Sequence, residues 1–597
     1  MKKAIALLLL LCLTIGLLAG CSGDKPAETP AQTETPAQTE TPAQAEKPAE
    51  TSDVRCGIPN QPLATTGAKL ADDNRSEFVW TWDQHEDINY VSLPCSDTLE
   101  TITAFTSIRA IGVNYVDDPN DANNMQELER RTNVHVEWTT VSAAALAEQF
   151  SLMITSGDWM DIIFGSDAYT GGVTAGVQDD VFMELTDLMN KCMPNFQAIL
   201  DRGDEYRRLT LNNDGQICAI GQYEYTREPD WYGVNIATDI VEKIGGKTPV
   251  TLKDWEDLMD LAKSEYGMPY GYCPMPISSR AQNIFPVFSA YDTFGNFYQV
   301  DGKIHFGPVE DAFRDGLKKM NEWYNKGYLG DEWYAAPDQT NYYNNMGNAF
   351  GAEQYILMDG MSGYFHDWLT RYGSTKADVY TGAVANPVLE EGNEIHFAQI
   401  VPLNRQSNAS IATSAKNPEL CAKWMDYRLS YEGKTLWNYG VEGVDWEMNP
   451  DGTVTLSEVG YKATLSTAED YAYWSEKQQM SVWSVANGGW YEWRGGRKYW
   501  VAGLNEENVA LGNIWADSAP NSWMLPTYDV LTEYLAQGYA SKLNDIWTYI
   551  EPMYIKFIIG EVDIDTEWDT YVKGIWDMGL QDCIDAQQAS LDAYNAR

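Results

Sequence analysis

The sequence predicts an α/β fold built on a mostly parallel β-sheet. Apolar and polar side chains alternate over residues 99–105 and 134–138, which is typical of strands, and residues 160–164 predict a third, buried strand. Residues 123–131 and 143–155 have the helical spacing of apolar side chains, and Ser156-Gly157 ends the second helix. Strands that alternate with helices at this spacing are joined by right-handed crossovers and lie parallel in one sheet.

Composition limits the classes of function. The 597 residues include 87 Asp and Glu against 41 Lys and Arg, which gives a formal net charge of −46. Such a polyanion repels phosphate backbones and anionic lipid, so we exclude nucleic acid as a partner and do not expect charge-driven membrane docking. The 22 Trp and 36 Tyr suit both cores and binding surfaces, because each ring has an apolar face and a polar edge.

The first twenty residues predict a secretory signal peptide. Lys2 and Lys3 precede an apolar run over residues 4–18, which is too short to span a membrane. Residues 18–21, Leu-Ala-Gly-Cys, resemble the bacterial lipoprotein signal, and this resemblance implies that Cys21 becomes a lipidated N-terminus anchored in the lipid bilayer. A chance cysteine after an ordinary signal peptide is the alternative. Removal of both lysines makes the net charge −48.

A low-complexity tether and an irregular extension follow. Residues 21–52 repeat Glu, Thr, Pro, Ala and Gln with a period of six and contain nothing that could join a core, so we expect disorder. Residues 53–96 form a polar N-terminal extension. Seven cysteines remain beyond Cys21, an odd and scattered set that predicts buried thiols, with a Cys56–Cys95 bridge left open.

Turn and capping signals predict the later elements. Thr251, with Asp254 three residues on, is typical of a helix N-terminus, and Asp301-Gly302 is typical of a hairpin turn. The other predicted elements are a turn at 213–216, a strand at 217–220, and helices from Pro308 to about 327, at 418–432, at 534–557 and at 567–596.

Eight segments along most of the chain carry a family resemblance. They are residues 156–164, 300–304, 322–329, 416–420, 437–443, 559–560, 568–571 and 578–580. In order, they resemble the family 1 extracellular solute-binding proteins, in particular the large lipoprotein branch that feeds carbohydrate ABC importers, with Met160 where the family usually has Pro. The resemblance implies a two-lobed, periplasmic-binding-protein-like (type II) fold with a hinge and long C-terminal helices. Lobe 1 would take residues 97–225 and 396–475, and lobe 2 residues 226–395 and 476–597.

The same resemblance implies a function. The expected protein is a monomeric receptor on the extracellular face of the cell membrane that captures a carbohydrate-like solute, an oligosaccharide or an acidic sugar, between its lobes. It would deliver that solute to ABC permease subunits. No cofactor is expected, and no metal, since the five histidines lack metal-binding spacing.

Candidate ligand-binding residues follow from strand ends and from the resemblance. Asp167 and Tyr169 come directly after the third strand, where ligands bind in parallel sheets. Their alternatives are turn capping for Asp167 and surface packing for Tyr169. Trp231 lies in the first predicted crossing between lobes, where packing under the hinge is the alternative. Tyr364 stands near the position of an aromatic residue in the family's second lobe.

A glycine-rich loop over residues 483–500 holds the densest aromatic cluster. Trp483, Trp490 and Trp493 are interleaved with glycine pairs that disfavour a helix, so we expect some of these rings to line the site. Arg494 could meet a substrate carboxylate, although salt bridges to nearby acids are the alternative.

Two other classes of function stay open on sequence alone. A secreted glycan-degrading enzyme fits the aromatic content, but the chain lacks a nucleophile elbow, a phosphate loop and a zincin motif, so we expect no enzyme. Carboxylate pairs for glycoside hydrolysis cannot be judged without three-dimensional separations. The second of these classes is a glycan-binding adhesin or sensor without a transport role.

Overall fold

The computed structural model describes most of the chain beyond residue 53. The described residues are 54–61, 69–70, 88–108, 118–142, 145–223, 232–275, 286–331, 334, 353–361, 382–398, 404, 408–444, 446–448, 453–456, 489–490, 506–528 and 530–597.

Seventeen strands and seventeen helices are numbered here within those residues. The strands are β1 Val54–Arg55, β2 Ile58–Pro59, β3 Lys69–Leu70, β4 Glu100–Ile108, β5 Val134–Ser142, β6 Ile162–Phe164, β7 Gln222–Tyr223, β8 Tyr232–Ile236, β9 Tyr272–Cys273, β10 Phe297–Val300, β11 Lys303–Phe306, β12 Leu357–Met361, β13 Gly382–Val384, β14 Ala409–Ile411, β15 Trp446–Met448, β16 Thr453–Leu456 and β17 Gly489–Trp490. The helices are α1 Asn123–Thr132, α2 Leu146–Ser156, α3 Gly172–Gln178, α4 Thr186–Cys192, α5 Pro194–Leu200, α6 Asp204–Thr210, α7 Thr238–Lys243, α8 Leu252–Leu261, α9 Pro286–Ser289, α10 Asp311–Asn325, α11 Pro418–Tyr427, α12 Tyr431–Tyr439, α13 Glu506–Asp517, α14 Thr532–Ala536, α15 Tyr539–Ile559, α16 Ile564–Asp577 and α17 Leu580–Ala596.

The first sheet has the strand order β14-β6-β4-β5. β4 pairs in parallel with β5 over its full length and with β6 at its centre, whereas β14 runs antiparallel to β6. Successive side chains of a strand point to opposite faces. Ile162 and Phe164 therefore join the core formed with α1, α4, α5 and α11, while Ile163 joins a smaller cluster against α2. The sequence predicted this mostly parallel sheet correctly.

A buried arginine supports the end of β6. The guanidinium of Arg428 lies 3.7 Å from the ring centroid of Trp437 and 5.1 Å from that of Phe164, a cation–π arrangement inside the first core. Burial lowers the pKa of Arg428 to about 9. Phe164 is the last residue of β6, so this stacking holds the strand whose end carries the Asp167 turn.

The second sheet has the order β13-β8-β12-β9 and buries its own core. β12 is antiparallel to β8 and parallel to β9. The stacked indoles of Trp255 and Trp323, 6.1 Å apart between centroids, and the long helices α10, α15, α16 and α17 cover this sheet. The two cores form separate clusters, which divides the described chain into a first half (β4–β6, β14, α1–α6, α11, α12) and a second half (β8–β13, α7–α10, α13–α17).

Trp515 packs against the second sheet at Gly233, where no side chain separates its ring from the backbone. Trp515 of α13 donates from Nε1 to the carbonyl oxygens of Val234 and Val384, at 3.2 and 3.1 Å. A Cβ on Gly233 would lie 2.3 Å from its ring, so glycine is required for this approach.

Short strand pairings join the segments between the halves. β17 pairs in parallel with β7, and Tyr223 of β7 forms an isolated bridge with Asn404. Asn404 lies between β13 of the second half and β14 of the first half. Three chain segments thus run side by side at this point. The lobe boundaries given above stay a prediction.

Several predicted elements differ in detail. Residues 217–220 do not form the predicted strand and make only isolated bridges, Ile217 with Leu211 and Ile220 with Ala409 of β14. The helix predicted from Pro308 begins at Asp311, after a 3-10 turn, and the predicted helix over residues 567–596 is two helices separated at Gly579, which has φ +94°.

No helix within the described ranges is long and apolar enough to cross a membrane. The seven cysteines beyond Cys21 are all free: five are buried, as predicted for most of them, whereas Cys56 and Cys95 are half-buried and form no bridge with each other.

A buried carboxylate lies near the end of β12. Asp359 accepts hydrogen bonds from the hydroxyl of Tyr272, at 2.9 and 2.8 Å, and from the amide of Met275 at 3.0 Å. Burial raises the pKa of Asp359 to about 7, although these hydrogen bonds oppose the shift. It joins β12 to the chain that leaves β9.

The N-terminus of α8 gives a first stability prediction. Thr251 Oγ1 accepts from the amide of Asp254 at 3.1 Å, and Asp254 Oδ2 accepts from the amide of Thr251 at 2.8 Å. Replacing Thr251 by Ala removes one half of this capping box and should lower the free energy of unfolding by about 1 kcal/mol in urea titrations. The exposed Thr248→Ala is the matched control. Equal stability of the two variants would contradict the capping role.

Asp359 gives a pH prediction. Its carboxyl is protonated in the folded chain up to pH about 7 but ionises near about 3.9 when unfolded. The folded state therefore binds the extra proton between these values, and the free energy of unfolding falls as pH rises from about 4 to about 7. Urea unfolding at pH 5 and pH 8 should show a smaller pH dependence for Asp359→Asn than for the wild type. The exposed Asp158→Asn should leave that dependence unchanged, and equal behaviour of both variants would refute the assignment.

Candidate functional site

A cavity of ≈ 290 Å³ lies between the two halves. The first half contributes the start of α3, the loop after α6 and the segment before β14, and the second half contributes the chain around α14 and the residue after α17. The polar side chains that line it are Thr174, Gln178, Thr210, Asn212, Asn213, Asp214, Asn404, Asn408, Thr527, Tyr528, Thr532, Glu533 and Arg597. A space bounded by both halves, with amides and hydroxyls in excess of charges, suits a polar uncharged ligand.

Asp167 does not line this cavity but contacts Asn408, which does. Its carboxylate accepts from the amide of Asn408, with distances of 3.0 and 3.2 Å to the two oxygens. Gly165, with φ +76°, donates its own amide to the carbonyl of Asn408 at 2.8 Å. The turn after β6 therefore fixes Asn408, which lines the cavity. This contact ties the turn after β6 to the distant segment before β14, and a direct ligand contact of Asp167 stays a prediction.

The side chain of Tyr169 contacts other residues of the first half. Its hydroxyl donates to Asp179 Oδ2 at 2.8 Å, and its ring meets Phe182 edge-on with centroids 5.5 Å apart. Burial and the Asp179 carboxylate together raise the pKa of Tyr169 to about 12. These contacts match the surface-packing alternative for Tyr169.

Two further predicted residues flank described strand ends. Trp231 and Tyr364 lie outside the described residues, but Tyr232 of β8 and Met361 of β12 are register partners. The roles of Trp231 and Tyr364 as ligand contacts stay predictions.

The glycine-rich loop is described only at β17. The backbone of Trp490 pairs with Tyr223 at the crossing segments, while Trp483, Trp493, Arg494 and the proposed lipidation site Cys21 lie outside the described residues.

Amide side chains fix the backbone around the cavity. Asn404 Nδ2 donates to the carbonyl of Leu209 at 3.0 Å. Asn212 Oδ1 accepts from the amides of Asp214 and Gln216, at 3.0 and 2.9 Å, and closes the turn that the sequence predicted there. These residues set the shape of the first-half wall.

Tyr528 is an aromatic residue of the cavity that sequence reasoning missed. Its hydroxyl donates to Gln587 Oε1 at 2.8 Å, and its ring lies 5.9 Å from that of Tyr594. The hydroxyl is thereby anchored to α17 while the half-buried ring borders the cavity. Nothing in the local sequence marks Tyr528, because only the tertiary fold brings residues 527–533 opposite α3.

Arg597 is the cation of the cavity wall. Its guanidinium donates to the carbonyl oxygens of Arg208 and Leu211, at 2.9 and 2.5 Å, and to Asn213 Oδ1 from two nitrogens, at 2.7 and 3.2 Å. Among the described residues, no cluster of His, Cys, Asp or Glu could hold a metal ion.

Solved structures with low sequence identity share this fold. FusA of Streptococcus pneumoniae, an ABC-transporter substrate-binding protein in complex with kestose, aligns with TM-score 0.63 and 21% identity, over 83% of this chain and 100% of its own. An HMO-binding, ABC-transporter-associated solute-binding protein from Bifidobacterium longum infantis aligns with TM-score 0.66 and 15% identity, over 84% of this chain and 99% of its own. The predicted two-lobed type II fold is confirmed.

Sequence comparison gives the same grouping. The fructooligosaccharide ABC transporter substrate-binding protein FusA of Streptococcus pneumoniae serotype 4 is 25% identical over 523 residues, which are 80% of this chain and 88% of FusA. Residues 119–435 match the family described as bacterial extracellular solute-binding proteins. This match spans more than half of the chain, and the chain belongs to that family.

Proposed function

We propose that this chain captures an oligosaccharide in the cavity between its halves and delivers it to an ABC importer. Membership of the solute-binding family supports capture of a solute. FusA, named for fructooligosaccharides, and the structure with kestose support a saccharide as that solute. The observation that carries the proposal is the polar cavity, because it is lined by both halves and would enclose a ligand on closure.

The lining of the cavity matches the chemistry of a sugar. Hydroxyl groups both donate and accept hydrogen bonds, as do the amides of Gln178 and Asn408 and the hydroxyl of Thr532. The apolar face of a pyranose or furanose ring could rest on Tyr528. This combination of one ring and several neutral polar groups is typical of saccharide sites.

The charges favour a neutral saccharide over an acidic sugar. Arg597 already donates to three protein oxygens, so a substrate carboxylate would have to displace them. Asp214 and Glu533 in the same wall would repel that carboxylate.

The sequence-predicted residues complete the proposed site. We retain Trp231, Tyr364, Trp483, Trp490, Trp493 and Arg494 as further ligand contacts. We assign Asp167 to the turn that positions Asn408, and Tyr169 to packing within the first half. Lipidation at Cys21 and the repetitive tether would hold the body at the extracellular face of the cell membrane. There, hinge closure on ligand would present a changed surface to the permease.

A glycan panel tests the proposed function. Fructooligosaccharides and the glycans of the HMO class should raise the melting temperature of the full chain or change its tryptophan fluorescence, because a ligand that binds only the folded state stabilises it. Uronic-acid oligomers should act more weakly. Peptides and polyols serve as controls, and a response to none of the glycans would overturn the proposal.

Tyr528 gives a test within the cavity. Tyr528→Ala removes the ring and should weaken saccharide binding about threefold to tenfold in calorimetric titrations, as expected for one aromatic contact. Tyr528→Phe keeps the ring and loses only the hydrogen bond to Gln587, so its affinity should stay near that of the wild type. Equal losses in both variants would show that the ring does not contact the ligand.

A further inference from the structure

The last helix of the second half ends against the first half. α17 buries Leu580, Cys583 and Leu591 in the second core, and its Gln588 donates to the carbonyl of Gly302 at 2.9 Å, so it is a fixed part of that half. Arg597 follows directly after α17. Its side chain crosses to the loop after α6, which belongs to the first half.

The loop that receives Arg597 is equally well fixed. Tyr206 of α6 and Tyr223 of β7 pack together in the first core, with ring centroids 6.5 Å apart. Leu211 forms a bridge with Ile217, and Asn212 closes the turn between them. The contact therefore joins two rigid elements, and relative movement of the halves would stretch it.

The acceptors suit a guanidinium. Two of them are carbonyl oxygens at the C-terminal end of α6, where helix geometry leaves carbonyls without intrahelical partners and concentrates partial negative charge. The third, Asn213 Oδ1, accepts from two nitrogens of the planar fork. Lysine, which has a single ammonium group, could not reach all three oxygens with the same geometry.

We propose that Arg597 is a clasp that favours the closed arrangement of the two halves and thereby sets ligand affinity. The inference rests on the proposed function, since it takes the cavity beside Arg597 as the ligand site. Apparent affinity scales with the fraction of the protein in the binding-competent state. A contact that exists only when the halves are together raises that fraction, and opening at the β7–β17 crossing returns the guanidinium to water.

Arg597→Ala tests the clasp in the full chain. The apparent Kd for a binding saccharide should rise about tenfold, which is about 1.4 kcal/mol at 25 °C. Without ligand, the radius of gyration from small-angle X-ray scattering should exceed that of the wild type, and ligand should bring the two values together. For Arg597→Lys, both the Kd and the ligand-free radius of gyration should lie between those of the wild type and Arg597→Ala. The control Arg130→Ala removes an arginine paired within its own helix, with Glu127, and should change neither quantity.

A double-mutant cycle identifies the partner. Asn213→Ala should weaken binding less than Arg597→Ala, and the double variant should be no weaker than Arg597→Ala alone, because both substitutions remove one contact. Additive losses would overturn the pairing.

The clasp and the proposed function fail in different ways. An unchanged Kd and an unchanged radius of gyration in Arg597→Ala would refute the clasp, even if its melting temperature falls, because that pattern means only a structural contact. If no saccharide binds the wild type, the proposed function fails, while scattering from the ligand-free variants still decides whether Arg597 holds the halves together.

Discussion

Separate burial of two apolar cores is the constraint on which the rest of the structure depends. The first sheet and the second sheet each cover their apolar faces with helices of their own half, so neither core extends into the other. The cavity between the halves is lined mostly by polar residues, and within the described residues the chain crossings beside it pair at β7, β17 and Asn404. A polar interface with few crossings can open, whereas a shared apolar core could not open without exposing that apolar surface to water.

Because the cores are separate, the cavity-lining residues of each half are held by contacts within that half. In the first half, Arg428 stacks on Phe164 at the end of β6. The turn after β6 then holds the cavity-lining Asn408 through both its backbone amide and its carbonyl. In the second half Tyr528 is anchored by Gln587 of α17, so the position of its ring follows that helix. A displacement of α17 would therefore move Tyr528 and Arg597 together. On the proposals made above, α17 would couple the ligand contact of Tyr528 to the contact that Arg597 makes with the first half.

The sequence predicted most of the first sheet and the capped helix α8, because these depend on local periodicity and on the Thr251–Asp254 spacing. It was wrong over residues 217–220, where the apolar run makes only single bridges, to Leu211 and to Ala409. Asp167 was placed correctly at the end of β6, yet its partner, Asn408, is 241 residues away and no local pattern could indicate it. Tyr528 and Arg597 were missed for the same reason, since both gain their position only when the C-terminal helices pack on the second core. The family resemblance supplied the lobed architecture that periodicity alone could not.

Hydrogen–deuterium exchange of the full chain, with and without a saturating saccharide, tests the central claim most directly. If the ligand binds between the halves, amides in residues 171–178 and 208–214 of the first half and in residues 527–535 of the second half should gain protection together. Protection confined to one half, or located away from these segments, would contradict a site enclosed by both.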